Sequence, residues 1–345
     1  GLGVNGFILV EGQPMHRSRG NFIPMLKALE IYGADVTRCS LLLAAEGMDD
    51  PDWRAETLRD VKAKLEAFCN TADEIISMRG SGPIGQLEKW LLSSLQTRIQ
   101  RIEEAVSVMK NRTALENAFF EVWNDFRWYL RRCESPSGKA LMEALGMWIR
   151  LMAPFAPHIC EEIWANMGGS GFIIDATWPS YDPSKIDSKA NEVEKIVRET
   201  MEDTSNLLKA MKIKPRKICY YAASKWKWDV YLKVLERVEE SKFDRGALIR
   251  ELVSDPSLES RSKEIASFVG KVADQASRIP ANARRLKLQL GRIDELDVLT
   301  AAQKFYSKQF DAEVAVFAEE NPQRYDPKRR SELAQPYRPA IFIEA

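Results

Sequence analysis

Apolar residues recur at steps of three, four and seven through the middle of the chain, the spacing of a single buried helix face. Leu87, Leu91, Leu95, Ile102, Val106 and Met109 mark one such face, and Leu115, Phe119, Val122, Phe126 and Leu130 the next. Leu141, Leu145, Trp148 and Met152 give a third, and Ile159, Ile163 and Met167 a fourth. Ser81-Gly82-Pro83 and Ser135-Pro136-Ser137-Gly138 punctuate them. Successive amphipathic helices joined by short loops predict an antiparallel bundle.

Ahead of the bundle the pattern changes. Asn5-Gly6 is a turn dipeptide and Phe7-Ile8-Leu9-Val10 a short apolar strand, so a hairpin is expected there. Gly12-Gln13-Pro14 ends the strand and opens a polar loop from Met15 to Asn21. A helix with Met25, Leu26, Leu29 and Tyr32 on its inner side follows, then a second apolar helix over 37–45. Asp49-Asp50-Pro51-Asp52-Trp53 reads as an acidic turn capping the next helix rather than as a metal site, because no further ligands lie nearby.

After Gly168-Gly169-Ser170-Gly171 and Trp178-Pro179, a helix is expected over 189–211. Beyond Pro215 the texture is mixed, with strands at 218–221, 314–317 and 341–343 and helices at 230–238 and 299–310. The expected division is 1–53, 54–211 and 212–345. The fold class is thus mainly α: a helical bundle, preceded by the end of another domain and followed by an α/β domain.

The 345 residues carry 50 Lys+Arg against 50 Asp+Glu. A net charge of zero excludes a protein that coats nucleic acid by bulk charge, so a polyanion must be met by local patches. Five Cys without a CxxC pair read as reduced cytosolic thiols, not as disulfides or a zinc site. No run approaches the ~18 apolar residues of a membrane span. The first residues, GLGVNGFILV, lack an initiator Met and a charged segment, so they read as an internal stretch and not as a signal peptide.

The loop at 15–21 gathers cations, a hydroxyl and a glycine, a combination that can close over phosphates. Short basic loops are common on solvated surfaces, and by itself the loop reads as one of them. Arg127 and Arg131 share a helix face with Trp128 and Arg132 beside it, which suits phosphates and unpaired bases or else a dipole-favoured helix end with Trp128 and Tyr129 simply core. Residues 212–227 (Lys212, Lys214, Arg216, Lys217, Lys225, Lys227) and 278–292 (Arg278, Arg284, Arg285, Lys287, Arg292) are windows whose cations face no acid nearby in sequence. Each is a polyanion site or a face balanced by acids distant in sequence. Arg324, Tyr325, Lys328, Arg329 and Arg330 form a weaker third patch.

In order along the chain, these segments resemble the class I aminoacyl-tRNA synthetases. Gly12-Gln13-Pro14-Met15-His16-Arg17-Ser18-Arg19-Gly20-Asn21 is similar to the KMSKS loop, and Tyr32-Gly33-Ala34-Asp35-Val36-Thr37-Arg38 to the "YGAD-x-x-R" helix pair after it. Ala153-Pro154-Phe155-Ala156-Pro157-His158 with Glu161-Glu162-Ile163-Trp164 resembles the "APFxPHxxEExW" signature of the anticodon-binding bundle, followed by Thr177-Trp178-Pro179. The 127–132 run, the 220–228 segment and the tail Ala334-Gln335-Pro336-Tyr337-Arg338-Pro339-Ala340-Ile341 favour the archaeal-type leucyl-tRNA synthetases over valine, isoleucine and methionine relatives.

The resemblance implies the end of a Rossmann-type catalytic domain, an anticodon-type bundle and a C-terminal tRNA-binding domain. It implies a cytoplasmic ligase that joins leucine to ATP, with Mg as counter-ion, and passes leucine to tRNA(Leu). Met15, His16, Arg17 and Ser18 would then bind ATP, with Arg17 and Ser18 catalytic. Arg127, Trp128, Arg131, Arg132, Lys214, Arg216, Lys217, Arg284 and Arg285 would bind tRNA. Two departures stand out. Pro14, His16 and Arg17 replace the family's Lys, Ser and Lys, and no HIGH motif precedes the loop, so the chain alone is not expected to activate an amino acid. A non-catalytic tRNA-binding paralogue, a split subunit, or a valyl or isoleucyl relative are the alternatives. His158 reads as a packed helix cap and His16 as a surface replacement.

Overall fold

A computed structural model describes residues 5–78, 82–240, 243–255 and 261–345. The first four residues of the expected hairpin, and Ser81 of the punctuation, lie outside them. The chain forms two compact units, 1–190 and 191–345.

The first unit opens with β1 (Leu9–Val10) and β2 (Gln13–Pro14), antiparallel, with β3 (Asp52–Trp53) parallel to β1 on its other side. The hairpin exists, but its turn is Glu11-Gly12, not Asn5-Gly6. Both turn residues have positive φ, 50° and 74°, the handedness that matches strand twist in a two-residue hairpin. The stretch read as a strand-breaker is therefore the turn and the returning strand. Phe7 is outside the ladder and exposed, its N–H given to Asp50.

Helices follow: α1 (Met25–Tyr32), α2 (Ala34–Ala44), α3 (Ala55–Ser77), α4 (Gln86–Ser107), α5 (Asn111–Leu115), α6 (Val122–Arg132), α7 (Gly138–Met152) and α8 (Pro157–Met167). One π turn, Glu116–Glu121, joins α5 to α6. The predicted faces of α7 are fully buried: Leu141, Leu145, Trp148 and Met152. On α4 the stripe holds at Leu91, Leu95 and Ile102, joined by Ile99, but Val106 and Met109 are exposed at the helix end. On α1 the inner residue is Ala28, while Met25 and Leu26 face outward. The second stripe holds at Leu115, Phe119, Val122 and Phe126, all buried, and continues at Tyr129, while Leu130 is only half-buried. Gly82 approaches Ser137 so closely that a Cβ there would lie 2.8 Å from its Cα, and the Ser137 hydroxyl donates to the Gly82 carbonyl. The two punctuation segments meet.

Carboxylates from the first 53 residues cap three bundle helices. An α-helix leaves its first N–H groups unpaired, and a nearby anion both accepts them and offsets the helix dipole. Glu11 Oε1 accepts from the Ala55 N–H at 2.9 Å, capping α3. Glu46 accepts the Thr113 N–H and hydroxyl at 2.9 Å each, capping α5. That N–H, outweighing burial, holds the Glu46 carboxyl below its ordinary range. Asp35, itself buried, accepts the Ile159 N–H at 2.7 Å and caps α8. The acidic turn at 49–52 caps no helix. Asp50 and Asp52 hold the Phe7 and Gly12 N–H groups instead.

In the second unit, α9 (Ser188–Met211), read above with the bundle, leads into β4 (Lys217–Ala222). Then come α10 (Lys225–Glu239), α11 (Arg245–Val253), α12 (Ser262–Ala276), α13 (Ala281–Leu290), α14 (Glu295–Phe310), β5 (Glu313–Ala318) and β6 (Ala340–Glu344). β4 is central, parallel to β5 and antiparallel to β6. All three strands expected from the sequence are present. Trp226, Val230, Val234, Ile265 and Val269 form the helical side of the core, and Cys219, Tyr221, Trp228 and Phe342 the sheet side.

Glu295 ties this unit together. It accepts the Ala223 N–H at 3.1 Å and the Tyr337 N–H at 2.5 Å. Tyr337 sits at positive φ, 65°, in the turn closed by Gln335 and Arg338, where glycine is the usual residue. Its ring packs on Trp228 with centroids 5.0 Å apart.

Two predictions follow from these carboxylates. Replacing Asp35→Ala is expected to cost about 2 kcal/mol in urea unfolding, the upper range for a lost cap. Burial pushes the Glu295 carboxyl up to about 7, above its ordinary 4.5, so the folded state holds the proton more tightly than the unfolded one. That contribution is complete below pH 4.5 and is lost as pH rises through 7, by roughly 3 kcal/mol. In Glu295→Gln this fall should vanish from stability measured between pH 4 and 8.

Candidate nucleic-acid interface

The loop at 15–21 grows out of the hairpin, the Met15 N–H reaching back to the Ile8 carbonyl at 3.1 Å. Arg17–Arg19 makes one 3-10 turn. His16 is its cap: Nδ1 lies 2.8 Å from Ser18 Oγ and accepts the Ser18 N–H at 3.3 Å. Asn21 closes the loop, accepting the His16 N–H and donating to the Pro14 carbonyl, at 2.9 and 3.1 Å. Gly20, at φ 73°, gives its N–H to Arg17. His16 is thus part of the loop's internal bonding, not a passive surface replacement. Residues 16–20 are exposed, with Arg17 against the Phe22 ring at 5.2 Å. The result is a preformed projection with two guanidiniums and a hydroxyl at its tip.

The two signature segments far apart in sequence prove to be one junction. Arg38 donates to the Pro154 and Phe155 carbonyls at 2.7 and 3.3 Å, satisfying the end of α7, while Asp35 caps the start of α8. His158 Nδ1 lies 2.9 Å from Asp35, but the ring is 72% exposed. The cap is Asp35, so the expectation for His158 is corrected. Cys39, buried at the same junction, points its thiol to the Phe155 carbonyl, and burial pushes it up to about 12.

On α6, Arg127 and Arg131 are exposed and Arg132 half-buried. Trp128 is 6% exposed, so it is core and offers no ring to a base. Arg131 covers it from outside at 4.9 Å. Arg127 instead covers Trp123, at 5.8 Å, a residue the sequence argument did not single out. Trp123 follows the π turn and is half-buried, off the apolar stripe.

The windows at 212–227 and 278–292 are not acid-free in space. Lys214 meets Asp311 at 3.0 Å, Lys217 meets Glu313 at 2.7 Å, and Arg216 pairs with Glu344. Arg284 and Arg285 share Glu239, at 3.0 and 2.5 Å, and Lys287 meets Glu192 at 3.2 Å. Lys227 is buried, donating to two carbonyls and paired with Glu319. Arg324 is spent on Ser331 and Asn321. Exposed pairs contribute little and exchange readily for phosphate, so Lys214, Arg216 and Arg285, at 80, 68 and 72% exposure, stay available beside the exposed Lys212, Lys225, Arg278 and Arg292. Lys217 and Arg284 are shielded.

Residues 88–220 match a family model described as the anticodon-binding domain of tRNA ligase. The leucine-tRNA ligase of Methanothrix thermoacetophila is 37% identical over 99% of this chain and 35% of its own length. Those of Methanococcoides burtonii and Pyrococcus furiosus are each 35% identical, over 99 and 100% of the chain and 36 and 34% of their own lengths. The chain therefore spans about a third of these relatives. A solved LeuRS-tRNA-LeuAMS complex from Agrobacterium radiobacter aligns over 64% of this chain and 25% of its own, at 20% identity and a TM-score of 0.48. Among the described residues no helix is long and apolar enough to cross a membrane.

The burial difference on α6 predicts opposite outcomes for neighbouring substitutions. Trp128→Ala should lower stability by about 3 kcal/mol, as for a core aromatic, whereas Arg127→Ala should stay within about 0.5 kcal/mol. Thermal melts of the two variants distinguish them.

Proposed function

We propose, from its homology along the whole chain to archaeal leucine-tRNA ligases, that this chain is the tRNA-holding C-terminal portion of such a ligase and carries the loop that closes on ATP. The observation that carries the reading is the match of the bundle to the anticodon-binding model, within similarity that extends over 99% of the chain.

In the complete enzyme, leucine and ATP would form leucyl-adenylate, and leucine would pass to the 3′ end of tRNA(Leu). The exposed Arg17 and Arg19 guanidiniums and the Ser18 hydroxyl suit a triphosphate, with Mg as its counter-ion. Their role is to stabilise charge developing on the phosphates as the anhydride breaks. Met15 and His16 set the shape of the loop. Asn21 acts through the backbone it braces. Adenylate formation needs the nucleotide-binding half as well, so this chain alone would not perform it.

Arg127, Arg131 and Arg132 support the tRNA body, with Trp128 as the packed base beneath Arg131. The exchangeable cations Lys214, Arg216 and Arg285 would meet the RNA in the second unit, with Lys217 and Arg284 holding the acids that flank them. A second reading, a tRNA-binding paralogue without catalysis, is favoured by Pro14, which sits in β2 where the family carries a lysine. With the N-terminal half supplied, a large gain in adenylate formation from P14K/R17K would favour that reading, and little change an active variant.

The first test is binding of the 345-residue chain to tRNA(Leu), with and without its long variable arm and against a serine tRNA, across a salt series. Expected is tight binding that falls steeply with salt, as for several phosphate contacts, and weakens when the arm is removed. Equal, weak binding to every RNA would overturn the leucine assignment.

A further inference from the structure

The second unit contains a cleft of about 750 Å³ between the start of α10, the outer face of α12 and the tail before β6. It lies within the range of small-ligand sites, and none of the residues assigned above to tRNA contact lines it. Along one wall run Lys263, Ser267 and Lys271, at i, i+4 and i+8 on α12 and all exposed. Neither lysine forms an ion pair among the described residues. Lys263 and Lys271, eight residues apart, stand about 12 Å apart along the helix, so their long side chains bend toward each other to share one phosphate.

Trp226 lines the floor, edge-to-face with Phe268 at 5.5 Å and covered by the Arg261 guanidinium at 5.5 Å. The indole is 92% buried by its 8% exposure, yet its N–H has no acceptor among the described residues. A buried donor left unpaired is costly, and a ligand oxygen that reached it would relieve that cost. Arg261 is tied to Glu264 and Glu320 by exposed pairs, at 3.4 and 3.1 Å, and can swing outward at little expense. The cleft thus sets two unpaired ammonium groups and an indole donor beside an aromatic floor, while Glu264, Glu319 and Glu320 are held in ion pairs by Arg261 and Lys227. A nucleotide suits this set, since its phosphate meets the lysines and its base offers acceptor atoms to the indole.

We propose that this cleft binds a nucleotide monophosphate unit, with phosphate on Lys263 and Lys271 and the base edge at Trp226. The unit comes either from a free nucleotide or from an unpaired stretch of RNA.

The test titrates the whole chain with AMP and with a single-stranded adenosine pentanucleotide, in wild type, K263A/K271A, Trp226→Phe and Ser267→Glu. K263A/K271A should weaken binding at least tenfold at low salt and lower the salt slope for the pentanucleotide by about 1.4, two contacts at ~0.7 each. Trp226→Phe keeps a ring but no donor, and should weaken binding about fivefold while the chain stays folded. Ser267→Glu, on an exposed helix face, keeps the fold and should block binding. AMP binding as tightly as the pentanucleotide identifies a free nucleotide, and binding of the pentanucleotide alone identifies RNA. Failure of wild type to bind either probe, or affinities within twofold across all four proteins, overturns the proposal. The tRNA measurement above is read separately, so a failure here leaves the tRNA reading standing.

Discussion

Everything in the first unit depends on helix N-termini being satisfied by carboxylates that arrive from far away in the chain. Glu11, Glu46 and Asp35 lie in the hairpin-and-helix segment ahead of the bundle, and each ends on the first backbone N–H groups of a bundle helix. An uncapped N-terminus inside a packed unit leaves donors without water or partner, and no amount of apolar burial on the helix flank removes that cost. The bundle and the segment before it are therefore one folding unit, although the hydrophobic pattern invites a boundary near residue 53. Glu295 serves the second unit by related chemistry, holding a strand end and a strained turn with one buried side chain.

The helices were legible because their information is local. A seven-residue apolar repeat needs only its own helix to be read, and α7 obeyed it at every position. Where the reading slipped, the cause lay outside the window. Trp128 looked like part of an open face because nothing in its neighbourhood reveals what packs on it. Met25 and Leu26 followed helical spacing but not burial, since periodicity states which residues share a face and not whether anything covers it.

Charge was the least legible property. Lys214, Lys217 and Arg285 look unopposed in sequence because Asp311, Glu313 and Glu239 reach them only after strands and helices have folded back. The candidate loop was different: its cations, hydroxyl and glycine sit within a few residues of each other, so the sequence sufficed. What it could not convey is that His16 and Asn21 hold that loop in shape before any ligand arrives.

The hairpin that carries the loop is bonded to the end of a long rigid element. Glu11 in its turn caps α3, and Asp52, which holds Gly12, lies just before that helix begins. With 23 residues, α3 is about 35 Å long at ~1.5 Å per residue. A tilt of only about 5° at the capped end would carry the other end roughly 3 Å, the width of a hydrogen bond. The hairpin and α3 share one anchor, so the exposed loop and the far end of a 23-residue helix are tied through the same pair of carboxylates.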